Sequence, residues 1–216
     1  MKLRETPERL AYKMAMNCID KNTSDLYAAN KYSFNILEPS AGTGTLIDIL
    51  SKRLNTWEYE IQNIKCVELN EQKCGVLKNK GYDAVHADFL TCDFKDQKFD
   101  IVIAAPPFKN NVDLLHIQKM YSLLNPKSDL RITARPFIVS LTSPYWLTNN
   151  DPHQIAFREF LKNKEHTLEM LPDNTFVEKD KTVPTALIKI YFGENNEAFL
   201  ENKELSDKME RTSRET

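Results

Sequence analysis

Apolar positions along this chain fall into short continuous runs that alternate with stripes at helical spacing. The run that opens at Ile36 ends in the acid Glu38, passes through Pro39-Ser40-Ala41-Gly42-Thr43-Gly44, and resumes with Leu46, Ile47, Leu50 and Leu54 on one helical face. That pattern predicts a strand, a tight glycine turn and a helix. Glycine at 42 and 44 admits positive φ and lets a ligand approach the turn with no Cβ in the way. Glu38, at the strand tip beside the helix N-terminus, offers an acceptor to a cationic or hydroxylated ligand.

Upstream, Thr6-Pro7 reads as an N-cap followed by proline at the first helical position, with Leu10, Met14 and Cys18 as the buried stripe. The polar stretch Asp20 to Asn30 connects this helix to the first strand. Downstream, Ile64 to Val67 predicts a second strand ending in Glu68. Asn70 caps a helix that runs to about Lys80, and Gly81 stops it. Asp83 to His86 is a short third strand ending near Asp88, and Phe99 to Ala104 is the most apolar strand. Ala105-Pro106-Pro107-Phe108 follows, then a helix from Val112 to Leu124 with Leu114, Ile117, Tyr121 and Leu124 in register. Phe137 to Leu141 is a fifth strand, Gln154 to Lys162 a helix, and His166 to Leu171 with Thr185 to Phe192 the closing pair. Strands alternating with helices at this spacing predict parallel βαβ units in an α/β domain. Residues 1–192 form that domain, and the charge-rich residues 193–216 are a peripheral helix or frayed tail.

Composition narrows the class without naming a substrate. A chain of 216 residues, 41% hydrophobic and 28% charged, suffices for one full-sized domain. No apolar run reaches the roughly 20 residues of a membrane span, and MKLRETPERL has no signal-peptide core. Cys18, Cys66, Cys74 and Cys92 lack the spacing of a zinc site and read as reduced thiols, so a cytoplasmic location is expected and no metal site. The net charge of -2 argues against a broadly basic surface but leaves room for a local groove.

Ligands of open parallel sheets bind beyond the carboxyl ends of the strands, where strand order reverses. Chemistry-bearing residues end each of the first four strands here: Glu38 with its glycine turn, Glu68, Asp88-Phe89, and Ala105-Pro106-Pro107-Phe108. An acid at the end of the second strand is well placed to accept from ribose hydroxyls.

In these residues the chain resembles the class I S-adenosylmethionine-dependent methyltransferases, and more closely the phage and plasmid type of DNA N6-adenine methyltransferase. That branch carries a T-P-x-x-(L/V)-x-x-x-(M/V) entry helix, a (D/E)PSAGTG loop, an acid after strand 2, an acid-Phe pair after strand 3 and (N/D/S)PP(Y/F/W) after strand 4. The chain has Thr6-Pro7 with Leu10 and Met14, Glu38 to Gly44, Glu68, Asp88-Phe89, and Ala105 to Phe108. LPDNTF, Leu171 to Phe176, and TVPT, Thr182 to Thr185, are similar to further pieces of such proteins. The resemblance spans residues 3 to 192 and implies a Rossmann-like, mostly parallel seven-stranded sheet with helices on both faces.

It also implies S-adenosyl-L-methionine as cofactor and DNA as partner, with a separate specificity subunit as a further partner, and a role for each residue. Thr6 and Pro7 would close over the methionine end, with Glu38, Pro39, Ser40, Gly42 and Gly44 beneath it. Glu68, next to Leu69, would hold the ribose; Asp88 would accept from the adenine amine, and Phe89 would pack on the ring. Pro106, Pro107 and Phe108 would face a flipped target base, Lys109 would contact substrate, and Phe176 is either a second stacking face or core. Lys109, Lys127, Arg131, Arg135, Lys179 and Lys181 are candidates for a backbone-contacting groove.

One position departs from the family pattern. In the family, the first motif residue's side chain and the first proline's carbonyl accept the two N–H bonds of the target amine, letting the nitrogen pyramidalise. Ala105 supplies no such acceptor. By analogy with a lost oxyanion-hole donor this costs roughly 2.7 to 4 kcal/mol, about 10² to 10³ in rate. Three alternatives stand at this point: a weak or differently assisted methyltransferase, a binding module that no longer catalyses, or a deliberately inactivated sequence. RNA and protein glutamine are rival substrates. A nicotinamide enzyme is disfavoured, because Leu46 and Ile47 follow Gly44 where a third glycine is needed.

Overall fold

The computed structural model describes residues 6–19, 33–56, 60–126, 135–173, 175, 177–178 and 181–194. The Asp20 to Asn30 connector, Lys127, Arg131, Phe176, Lys179 and the segment 195–216 lie outside the described residues.

The β-strands are β1 (Ser33–Glu38), β2 (Glu60–Glu68), β3 (Asp83–His86), β4 (Ile101–Ala104), β5 (Phe137–Thr142) and β6 (Lys164–Met170), then β7 (Val177–Glu178), β8 (Lys181–Thr182) and β9 (Ala186–Glu194). Seven of them form one sheet in the order β3-β2-β1-β4-β5-β9-β6, and β7 pairs with β8 as a separate hairpin. The first five of that order run parallel, with Ile36 beside Ile101 and Ala104 beside Ser140. β9 is antiparallel to both of its neighbours, placing Ala186 beside Thr142 and Tyr191 beside Phe137. Strands β4 and β5 are buried at every position, as expected of strands covered on both faces.

Helices α1 (Glu8–Asn17), α2 (Thr45–Thr56) and α3 (Glu71–Asn79) contribute to one apolar layer, where Leu10, Met14, Ile47, Leu50, Leu54 and Leu77 meet Ile36, Ile101 and Val139. Helices α4 (Val112–Ser122) and α5 (Pro152–Leu161) contribute to the other, where Leu114, Ile117, Met120 and Phe157 meet Leu37, Val102 and Ile138. The sheet thus has helices on both faces. Local signals explain most of the ends. Asn70 Oδ1 accepts from Lys73 N–H at 3.0 Å, Asp151 caps α5 through His153 N–H, and Gly81 leaves α3 with φ 88°.

Several element ends differ from the expectation. Pro7 is itself the N-cap of α1, with ψ 138° and no side-chain cap, so Thr6 lies one residue outside the helix. Strand β2 begins at Glu60 and β5 reaches Thr142, because pairing with β1 and β9 continues past the apolar runs. Helix α5 begins at Pro152, behind the Asp151 cap. Among the described residues no helix is long and apolar enough to cross a membrane.

Candidate functional site

Strand order reverses between β1 and β4, so the loops leaving these two strands diverge and open a crevice at the carboxyl edge. The glycine turn forms one wall and is tied to β2 by its own amides. Ala41 N–H donates to the Val67 carbonyl at 3.0 Å, Gly42 N–H to Glu68 Oε2 at 2.7 Å, and Gly44 N–H to the Ala41 carbonyl at 2.8 Å. Outside the turn, the Lys80 ammonium donates to the Thr43 carbonyl at 2.7 Å and to Asp48 Oδ2 at 2.6 Å. Tyr82 donates to Asp48 Oδ1, and burial together with that bond raises its hydroxyl pKa.

The two glycines do different work. Both have positive φ, 58° at Gly42 and 93° at Gly44. Gly42 lines the crevice. A Cβ on Gly44 would stand 2.9 Å from Leu77 Cδ2, so the absence of a side chain here lets α3 pack against the turn.

Glu38 and Glu68 are 2% and 5% exposed. Besides Gly42, Glu68 accepts from Asn70 N–H through Oε1 at 2.7 Å, which fixes the carboxylate plane at the tip of β2. Asp88 is exposed and turns its own loop, Oδ1 accepting from Leu90 N–H at 2.8 Å. Phe89 is buried, with its ring centroid 4.9 Å from that of His116 and 5.7 Å from that of Phe94.

These residues surround a cavity of about 320 Å³. Of the residues expected from sequence, Thr6, Glu38, Pro39, Ser40, Gly42, Glu68, Leu69, Asp88, Phe89, Ala105 and Pro107 line it. Pro7, Gly44, Pro106, Phe108 and Lys109 do not: Pro106 is buried, Phe108 packs partly against the α1–α3 layer, and Lys109 is exposed. Arg135 corrects the groove expectation. It precedes β5 and so sits at the amino edge, away from the crevice, where its guanidinium pairs with Glu165 and lies 5.4 Å from the Tyr191 ring centre. Lys181 lies in β8.

Sequence reasoning missed His116, which lines the same cavity from α4. The stripe on that helix was read from Leu114 and Ile117; a histidine between them, on the helix after the double proline, was the available signal. Burial pushes its pKa down to about 4, opposed by Asp88 and assisted by Lys119. One turn earlier, the Asp113 carboxylate accepts from Thr142 Oγ1 at 2.8 Å and Ser143 N–H at 2.9 Å, and burial raises its pKa against those bonds. It ties α4 to the end of β5.

A nucleoside-sized ligand fits what is present. The cavity lies within the roughly 300–1,000 Å³ range of small-molecule sites. Its walls combine buried carboxylates at two strand tips with a buried phenylalanine, an acceptor and stacking set suited to a ribose and a purine.

No family model matches the chain. It is 35% identical to the modification methylase CviBIII of Paramecium bursaria Chlorella virus NC1A over 83 residues, 37% of this chain and 20% of that one. It is 25% identical to the ribosomal RNA small subunit methyltransferase C of Haemophilus influenzae (strain PittEE) over 115 residues, 50% of this chain and 34% of that one. The chain therefore spans about a fifth to a third of the length of these curated relatives. Among solved structures, the type I restriction-modification system methyltransferase subunit of Streptococcus thermophilus superposes with a TM-score of 0.67 at 18% identity, covering 89% of this chain and 45% of that one. Fold, strand-tip residues and relatives agree: the chain has the Rossmann-like class I methyltransferase fold, and its sequence relatives and structural neighbours are methyltransferases.

Proposed function

We propose that this chain is an S-adenosylmethionine-dependent methyltransferase that acts on the exocyclic N6 of adenine in DNA. The observation that carries this reading is one cavity at the strand-order reversal, which gathers Glu38, the glycine turn, Glu68, Asp88 and Phe89 beside Ala105 and Pro107. The Ala105-to-Phe108 loop adds the amine-directed part, and similarity to a modification methylase supports DNA as the polymer.

When bound, the cofactor supplies an electrophilic methyl on a sulfonium centre. The chain's own residues do the rest. Glu68, held in plane by two backbone amides, would accept from the ribose hydroxyls with its remaining lone pairs. Asp88 and Phe89 would take the adenine, and Glu38 with Thr6 the methionine end. The Pro106 carbonyl would accept one N–H of the target amine, and Phe108 would stack on the extruded base. Catalysis of this kind is positioning and fixed acceptors. The second N–H finds no acceptor at Ala105, so turnover is slow.

Ala105 is also what favours a second reading, a module that binds the cofactor or a partner subunit without transferring a methyl. Calorimetry with S-adenosylhomocysteine and a tritiated-cofactor assay on DNA, RNA and protein pools decide between them. The proposal expects micromolar-range binding and label in DNA adenine. Binding with no label in any pool selects the cofactor-binding module, label in RNA or protein moves the substrate, and no binding overturns the methyltransferase and the cofactor-binding module alike.

A further inference from the structure

His116 is 5% exposed, yet its ring reaches the cavity and touches two walls that belong to other elements. Its Nδ1 lies 3.4 Å from Ser40 Oγ of the glycine turn, and its ring is tilted 51° against Phe89 of the β3–β4 loop. One turn on, Lys119 completes the grip on that loop: its ammonium donates to the Leu90 and Cys92 carbonyls at 3.0 and 2.7 Å and lies 5.2 Å from the Phe89 ring centre. His116 and Lys119 share a helical face, so α4 holds the loop at two points. Only His116 continues across to the glycine turn.

The side chain is chosen for two contacts at once. Phenylalanine would keep a ring against Phe89 and lose the Ser40 partner. Asparagine would keep a polar group at the Nδ1 position and lose the ring. A lysine would bring a charge into a buried site against the developing and fixed charges of a cationic ligand. With Asp88 and Lys119 as the charged groups acting on it, the imidazole is neutral at physiological pH.

We propose that His116 is a cofactor-positioning residue, coupling Ser40 to Phe89 so that both walls of the nucleoside crevice are held at one separation. This rests on the methyltransferase reading above, and its test separates the two. Wild type, His116→Phe and His116→Asn are titrated with S-adenosylhomocysteine by calorimetry and melted without it. The expected result is opposite orders: His116→Phe melts at or above His116→Asn, yet binds about 3- to 10-fold more weakly than wild type, the loss of one hydrogen-bond partner. His116→Asn binds more tightly than His116→Phe. Wild-type affinity in His116→Phe overturns the proposal, because the position is then only a ring-shaped core site.

A second readout needs no variant. In the wild-type protein the His116 imidazole Cδ2 and Cε1 proton resonances shift on addition of S-adenosylhomocysteine; unchanged resonances in a protein that binds overturn the proposal equally. Failure of wild type to bind is a different result, and it overturns the methyltransferase reading on which this one stands.

Discussion

On the β1–β2 side of the crevice the wall is a glycine turn whose amides at Ala41, Gly42 and Gly44 all find acceptors within the turn or on β2. On the β4 side the Ala105-to-Lys109 loop runs into two successive left-handed residues, Asn110 and Asn111, with φ of 58° and 59°. That kink is secured by side chains instead: Asn111 Nδ2 donates to Asp151 Oδ1 at 3.0 Å, and Gln154 Nε2 donates to Asn111 Oδ1 at 2.9 Å. The turn of the cofactor half thus rests on its own amides, two of them on carbonyls and one on the Glu68 carboxylate, whereas the kink of the target half rests on the side chains of Asn111, Asp151 and Gln154, which single substitutions rewrite. Ala105 falls in the half where such rewriting is easy.

The largest test is on the target half. Ala105→Asn restores an amide acceptor and raises methyl transfer to adenine in DNA by about 10²- to 10³-fold in a tritiated-cofactor assay. No gain means that the missing acceptor is not what limits this half.

Acid stability sharpens the account of the seam between the halves. A buried neutral histidine whose pKa falls from about 6.5 unfolded to about 4 folded binds fewer protons in the native state between these values. Stability is therefore intact above pH 6.5 and falls as pH drops toward 4, by up to about 3 kcal/mol from this group. Asp113 acts with the opposite sign, since a raised carboxyl pKa favours the native state at lower pH. His116→Phe removes the histidine part alone, so urea midpoints measured from pH 7 to 4 decline less in the variant. Parallel declines sink the assignment of a neutral buried imidazole.

Gly44→Ala tests whether the cofactor half depends on packing behind the turn. Left-handed strain plus the approach to Leu77 lowers the unfolding free energy by about 2 kcal/mol in urea denaturation, with affinity for S-adenosylhomocysteine changed less than threefold. A large affinity loss at unchanged stability would return Gly44 to the ligand. Smallest is Asn111→Gly, where relief of left-handed strain offsets two lost side-chain bonds, leaving stability within about 1 kcal/mol. If stability drops well beyond that, the side-chain lock matters more than the strain it holds.

The alternation of apolar runs with helical stripes disclosed the seven sheet strands and the described helices, because β4 is apolar throughout and the buried segments Ile36-Leu37 of β1 and Phe137 to Val139 of β5 are apolar as well. Pairing beyond an apolar run leaves no such mark, which is why the first residues of β2 were unforeseen. At the site, the polar residues that interrupt apolar runs at or just past strand tips, Glu38, Glu68 and Asp88, line one cavity. Spacing cannot distinguish a glycine that admits a ligand from one that admits a helix; at Gly44 it is the approach of Leu77 that reveals the helix. His116 was hidden because contact between α4 and the glycine turn depends on tertiary packing across 76 residues of sequence. Arg135 was assigned to the wrong edge for the same reason, since strand direction decides which end of β5 it occupies.

The reversal of β9 sets two parts of the chain at opposite edges of the sheet. Ala186 meets Thr142 at the carboxyl edge, so the strand carries the chain down to Tyr191, beside Phe137 at the amino edge, while Thr6 lines the cavity. A spectroscopic label at Tyr191 would therefore stay remote from a bound nucleoside, and one at Thr6 would report on it directly.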